Sequence, residues 1–375
     1  MKNTLIHWCH STINPAMGCD GCELWPRNNT IITGLAQFIC TGTTTTSYQP
    51  KLPTIRKTVV AVVGGRATSA IYEDRITIAD QLAQKLSLAK PFRDGLVDVI
   101  RRACKCYAGL LGTMRAAHKG HADQFEQPKL FPGRMADAAQ WGPPTPQERA
   151  AKLWLRNAPR MIFISDMGDA LSKDIPFDYL KTEIIDNVVS PAGSRHLWLW
   201  LTKRPTRMAD FGRWLNQQDI AWPDNLVAMT TVTSPRTAGR VDELRKVPSK
   251  FKGLSCEPVF SNLNLNLAGI DWVIMGGGSD VLAAPFHVEW ALLMHQQCQR
   301  ADVAFFLKQL GKNALFQNAP LNLADPHGGD WSQWPEAWRI REIPKGFLPG
   351  GQNPGIQNGK ESLGRSSTAT QGLLF

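Results

Sequence analysis

Long apolar runs are missing from this sequence. The longest candidate, residues 59–63, falls far short of the ~20 residues a membrane-spanning helix needs, so no partner role for a membrane is expected. Met1-Lys2-Asn3 leads straight into Leu5-Ile6-His7-Trp8-Cys9. With no apolar segment and cleavage site there, no secretory signal is expected and a cytoplasmic location is. The eight cysteines then point to metal or redox chemistry rather than to a disulfide framework. Gly64-Gly65-Arg66 does not complete a phosphate-binding fingerprint, which argues against a nucleotide site at that point. Tyrosine is scarce, four residues against thirteen tryptophans among 375.

The formal charge is +10, which favours polyanionic partners such as nucleic acid, phosphate esters or acidic proteins. The tryptophans admit two readings. Indoles stack on unpaired bases, and they also fill cores and barrel rims.

Asn14-Pro15-Ala16-Met17-Gly18-Cys19-Asp20-Gly21-Cys22 sets two thiols three positions apart in a glycine-bearing turn. Cys104-Lys105-Cys106 supplies candidates for further ligands. Thiolates are soft donors suited to zinc or iron–sulfur clusters. Four of them, Cys19, Cys22, Cys104 and Cys106, would make a closed structural zinc site; three would leave a metal position open. Cys9, Cys40, Cys256 and Cys298 stand alone, as buried small hydrophobes usually do.

A first strand is expected near residues 4–7. Residues 28–101 read as an insertion between the two cysteine groups, with loop-like stretches at 41–47 and 50–53, a buried strand at 59–65 and a helix at 78–88. A helix is expected at 108–118 and a Pro/Gly-rich connector at 128–146. Apolar runs then recur at 161–165, 197–201, 226–232, 251–256, 272–275 and 303–307. Helical spacing falls at 175–189, 207–217, 238–247 and 288–301, whereas 258–267 reads as loop. Strands alternating with helices predict an α/β fold with a parallel sheet, as a complete or partly open β/α barrel, with a doubly wound open sheet as the alternative. The barrel would comprise residues 1–27 and 102–345, followed by a disordered tail over 346–375.

Chemistry in such folds gathers at the carboxyl ends of the strands. Those positions hold Asp166 and Asp169; Thr202, Lys203 and Arg204; Thr230, Thr231 and Thr233; Glu257; Gly276 and Gly277; and Lys308 with Gln309. So polar a ring describes a ligand pocket. Each member also has a structural explanation: the aspartates as helix caps, Lys203 and Arg204 as ion partners of Glu257, and the glycines as a tight turn.

Taken in order, several pieces resemble a family of uncharacterised phage and bacterial proteins distantly related to radical SAM enzymes, including spore photoproduct lyase. They are Asn14-Pro15 with Gly18-Cys19, Cys22-Glu23-Leu24-Trp25, Cys106-Tyr107-Ala108-Gly109, Ser165-Asp166-Met167-Gly168-Asp169 and Leu201-Thr202-Lys203-Arg204-Pro205. Ser255-Cys256-Glu257-Pro258, Trp272-Val273-Ile274-Met275-Gly276-Gly277 and Phe305-Phe306-Leu307-Lys308-Gln309 complete the set. The resemblance covers roughly residues 8–26 and 104–345. It implies a radical SAM-like barrel with a [4Fe–4S] cluster on Cys19, Cys22 and Cys106, Cys104 in reserve, and one iron open to S-adenosyl-L-methionine. It further implies cofactor-binding roles for Asp166, Asp169, Thr202, Arg204, Gly276 and Gly277, and catalytic roles for Lys203, Glu257 and Lys308. A nucleic-acid or nucleotide substrate and an external electron donor would be the partners. In phages, such proteins are associated with DNA base hypermodification, for example isomerising an amino-acid adduct on the thymine methyl group.

The chain departs from the family pattern twice. Cys22 and Cys106 are far apart in sequence, and Gly276-Gly277-Gly278 stands where relatives often have Gly-Gly-Glu, so a carboxylate is missing. Two alternatives follow from the residues alone: a zinc-binding nucleic-acid or protein-interaction module, and a metal-independent barrel enzyme acting on a phosphorylated small molecule.

Overall fold

A computed structural model describes residues 2, 4, 6–42, 52–115, 121–280 and 283–348. Its centre is a seven-stranded, all-parallel sheet, curled into a half-barrel and flanked by helices. The strands in chain order are β1 (Ser11–Ile13), β4 (Met161–Ile164), β5 (Leu197–Thr202), β6 (Leu226–Thr231), β7 (Lys252–Cys256), β8 (Trp272–Gly276) and β10 (Ala304–Gln309). They are hydrogen-bonded in that same order. The order never reverses, unlike that of a doubly wound sheet. Two small sheets complete the strands: β2 (Ala16–Met17) pairs antiparallel with β3 (Lys129–Leu130), and β11 (Ala314–Phe316) lies between β9 (Phe286–His287) and β12 (Ala319–Pro320).

Both faces of the central sheet are buried, which is why its strands read as unbroken apolar runs. Along β4, Ile162 and Ile164 join the helix-covered core with Trp198 and Trp200 of β5, while Met161 and Phe163 join Leu197 and Leu199 on the opposite face. The first face packs against helices that include Pro205–Asn216, Arg240–Arg245 and Val288–Ala301. The second is filled by Trp8, Trp154, Trp272, Phe306 and Phe347, which meet largely edge to face. Nine tryptophans are less than a tenth exposed, and Trp141, Trp214, Trp290 and Trp331 pack half-buried against the core. The indole excess therefore serves packing, and the base-stacking reading of it is not needed.

Three expectations need correction. The first strand is Ser11–Ile13, where backbone pairing with β4 is available, and not residues 4–7. The valine run lies in helix Leu52–Val63: Ile55, Val59, Val62 and Val63 are buried and Val60 is exposed, a helical period that a five-residue window conceals. The 128–146 connector contains β3 and a helix, Arg134–Ala139.

The described residues between 28 and 103 form five helices, Asn28–Gly42, Leu52–Val63, Thr68–Glu73, Arg75–Lys85 and Lys90–Ala103. They bury a separate apolar cluster that also takes in Cys19, Trp25, Cys104 and Phe125. The loops expected at 41–47 and 50–53 are corrected where described: residues 41–42 end helix Asn28–Gly42 and 52–53 begin helix Leu52–Val63. The tail expected from 346 does not begin there, since Phe347 and Leu348 are buried after a short turn of helix, Lys345–Phe347. Residues 43–51, the end of the 108–118 helix and the chain beyond 348 lie outside the described residues; that helix is seen as Tyr107–Met114. Among the described residues no helix is long and apolar enough to cross a membrane.

Candidate functional site

The first cysteine pair leaves β1 in a loop tied to the end of β4. Gly18 and Gly168 form a parallel bridge, in which the Gly18 amide donates to Met167 O (3.3 Å) and the Asp169 amide to Gly18 O (3.1 Å). A Cβ on Gly168 would stand 2.5 Å from Gly18 O, so only glycine lets these backbones approach. Gly18 has φ +95°, and Phe125 O occupies the space a side chain would need. The Cys19 amide donates to that carbonyl at 2.7 Å.

Cys106 arrives from the far end of the helical insertion. The amides of Lys105 and Cys106 both donate to Leu24 O at 2.9 Å, which seats the second cysteine group beside the first. The thiols sense one another: Cys19 and Cys22 are electrostatic neighbours, as are Cys22 and Cys106. Burial drives the Cys19 thiol up to about 12, with the Arg204 charge working against it, and it raises Cys22 as well. Cys104 is buried in the helical cluster near Glu126, and among the thiols it senses only Cys106. Among the described residues no group of three or more His, Cys, Asp or Glu stands close enough to hold a metal as the side chains lie.

Asp169 organises the rim. Its carboxylate accepts from the Leu171 amide (3.0 Å), the Thr202 hydroxyl (2.9 Å), the Lys203 amide (3.0 Å) and Arg204 Nη1 (2.7 Å). Arg204 in turn donates from Nη2 to Cys19 Sγ (3.3 Å), Gly21 O (2.9 Å) and the Asp20 carboxylate. Burial disfavours the Arg204 charge, yet Asp169, Cys19 and Asp20 more than offset it and hold its pKa above the ordinary value. Lys203 is likewise disfavoured by burial and held up by the charges of Cys22, Cys106, Glu23 and Asp169. Glu23 is clamped by Arg240 at 2.7 and 2.9 Å.

Lys203 and Arg204 therefore do not pair with Glu257, whose partner is Lys308. Asp166 caps no helix: its carboxylate takes the Asn14 side-chain amide, and burial raises its pKa. The Tyr107 hydroxyl donates to Asp166 O and lies within electrostatic range of Cys106 and Glu257, linking the sulfur group to the Lys308–Glu257 pair. Gly276 and Gly277 are buried against β10; a Cβ on Gly277 would sit 2.4 Å from Leu310 O, so close strand packing accounts for that glycine. Ser165, at the end of β4, has a left-handed backbone (φ +74°), and its buried hydroxyl has no partner among the described residues. Strain of this kind collects at functional sites.

The structure thus gathers Cys19, Cys22, Cys106, Asp169, Thr202, Lys203 and Arg204 into one group, with Asp166, Glu257 and Lys308 beside it through Tyr107. Asp20, Tyr107 and Arg240 belong to the same arrangement but had not stood out from the sequence. An acid inside the two-cysteine turn was the one local signal for Asp20.

Fold and site together define an open parallel α/β half-barrel with a thiol-bearing loop at the carboxyl ends of its strands. Residues 97–365 match a family described as a protein of unknown function (DUF5131), and the chain belongs to that family. The matched range contains Cys106 and every strand of the central sheet except β1. No curated protein and no solved structure matches the chain.

Proposed function

We propose that the chain is a radical SAM-type iron–sulfur enzyme that modifies a nucleic-acid base or nucleotide. What supports this reading is that the Leu24 carbonyl, by taking the Lys105 and Cys106 amides, seats Cys106 beside the Cys19–Cys22 turn at the strand ends, where Arg204 donates to the Cys19 sulfur. The donor set suits the group: three soft thiols with two cations to balance the negative charge they would acquire. Cys19, Cys22 and Cys106 would hold the cluster. A [4Fe–4S] cluster on three thiolates supplies one-electron reduction of S-adenosyl-L-methionine at the iron left open.

The chain's own residues supply the surroundings. Arg204 orients the Cys19 sulfur by a hydrogen bond and is itself fixed by Asp169 and Asp20. Lys203 sets a positive charge against Cys22 and Cys106. Thr202 and the Lys203 amide share Asp169, whose own amide donates to Gly18 O, so the end of β5 is tied through the loop after β4 to the cysteine loop. Lys308 and Glu257 form the second charged station of the rim.

Anaerobic reconstitution with iron and sulfide should give about four irons per chain with absorption toward the blue end of the visible spectrum. Dithionite and S-adenosyl-L-methionine should then release 5′-deoxyadenosine. Cys19→Ala, Cys22→Ala and Cys106→Ala should each lose the iron, whereas Cys104→Ala should keep it. One zinc per chain without iron, lost on Cys104→Ala, would instead establish the closed four-thiolate module.

A further inference from the structure

Outside the sulfur group an open cleft runs between the start of helix Pro205–Asn216 and the Pro235–Arg245 segment, enclosing about 1040 Å³ with the solvent at its mouth. Five cations line it, Lys203, Arg204, Arg207, Arg236 and Arg240, against two carboxylates, Asp210 and Glu243. Both carboxylates are engaged by cations that do not line the cleft, Asp210 by Arg213 and Glu243 by Lys246. Arg204 and Arg240 are likewise committed to Asp20, Asp169 and Glu23.

Three cations remain without a carboxylate partner among the described residues. The Lys203 ammonium makes no hydrogen bond there. Arg207 donates only to Ile175 O (2.7 Å), lies over the Phe177 ring at 4.6 Å, and leaves a buried Nε with no partner. Arg236 is exposed and its side chain makes neither an ion pair nor a hydrogen bond among the described residues. Thr206 and Arg207, in the first turn of the twelve-residue helix that Pro205 opens, also line the cleft, and a helix start favours an anion. These cleft cations range from half-buried Lys203 and Arg207 to exposed Arg236, a spread that suits successive phosphates better than one.

We infer that this cleft binds the phosphodiester backbone of a nucleic-acid strand through Lys203, Arg207 and Arg236, and delivers the strand to the rim that carries the cysteines. The phosphate binding stands on the cleft alone; what the strand is delivered to rests on the function proposed above. No exposed indole contributes, so recognition is by charge and carries little sequence preference.

The test is fluorescence anisotropy of a labelled single-stranded oligonucleotide with the full chain, as purified and after iron–sulfide reconstitution, across a salt series. Arg236→Gln should weaken binding about 3- to 10-fold. Arg207→Gln combined with Arg236→Gln should weaken it more than tenfold and lower the slope of log affinity against log salt by about 1 to 2. Arg300→Gln, an exposed cation on another helix, should change nothing. Arg236→Gln changes an exposed side chain with no ion pair or hydrogen bond among the described residues, so it separates loss of binding from loss of fold. Unchanged affinity in the double variant overturns the inference, and so does displacement of the oligonucleotide by a mononucleotide at equal phosphate concentration, which would make this a single-phosphate site. A chain that binds the strand but takes up no iron would remove the proposed enzyme function and leave the cleft assignment standing.

Discussion

Changing Asp169 to Asn alters one atom and removes one charge, and the site geometry says what should follow. The carboxylate is 5% exposed and receives four donors: the amides of Leu171 and Lys203, the Thr202 hydroxyl and the Arg204 guanidinium. An amide offers one acceptor oxygen and adds two N–H groups. At least one of those must face an N–H that the carboxylate had satisfied. Arg204 also loses a partner at 2.7 Å but keeps Asp20. Breaking a buried pair outright costs about 3–5 kcal/mol; with Asp20 still in place, roughly 2–4 kcal/mol is expected here. Urea unfolding followed by tryptophan fluorescence measures it directly, since the buried indoles report on both faces of the sheet. Asp210→Asn, which loosens only the exposed pair with Arg213, serves as control and should stay within about 0.5 kcal/mol of wild type. An Asp169→Asn chain as stable as that control would refute the view that this carboxylate holds the rim together.

Gly168→Ala should destabilise by about 2 kcal/mol or more and impair iron uptake, because the new methyl would lie 2.5 Å from Gly18 O and 2.8 Å from Gly18 N, both backbone atoms with little room to yield. A normal urea midpoint and full iron content in this variant would show that the bridge is slack. At Glu148, burial raises the carboxyl pKa but the two 2.9 Å bonds from Arg160 and the Thr145 amide outweigh it, holding it down to about 2. Since the folded value lies below the unfolded one, the gain is complete above pH ~4.5 and is lost as pH falls toward 2. It amounts to roughly 2–3 kcal/mol. The stability gap between wild type and Glu148→Gln should therefore narrow by about 2 kcal/mol from pH 6 to pH 3, and a gap independent of pH would contradict the pairing.

The later strands were legible because a sheet buried on both faces writes each strand as a short apolar run, and β4, β5, β6, β7, β8 and β10 all fall on such runs. Residues 59–63 show the limit of that signal. Five apolar residues look alike in strand and helix, and only the exposure of Val60 beside buried Val59, Val62 and Val63 separates the two. At the rim, residue types were legible but pairings were not. Lys203, Arg204, Glu257 and Lys308 are all strand-end residues, and any cation can be matched with any acid until the sheet order is known. That order sets Lys308 of β10 near Glu257 after β7, since only β8 intervenes, while Arg204 after β5 turns back to Asp169 and to the cysteine loop. Asp20 acquires its partner from residue 204, a separation no local pattern conveys.

Leu24 carries one consequence beyond the site itself. Because its carbonyl grips the amides of Lys105 and Cys106, the entire helical bundle between residues 28 and 103 leaves and re-enters the half-barrel at nearly one point. Its length is thus decoupled from the spacing of the sulfurs: the bundle could grow, shrink or be exchanged between homologues while the thiols kept their places. If the proposed centre is right, a search for three cysteines inside one short window would pass over it, because the Leu24 acceptor and not the residue count brings the second cysteine group back beside the first.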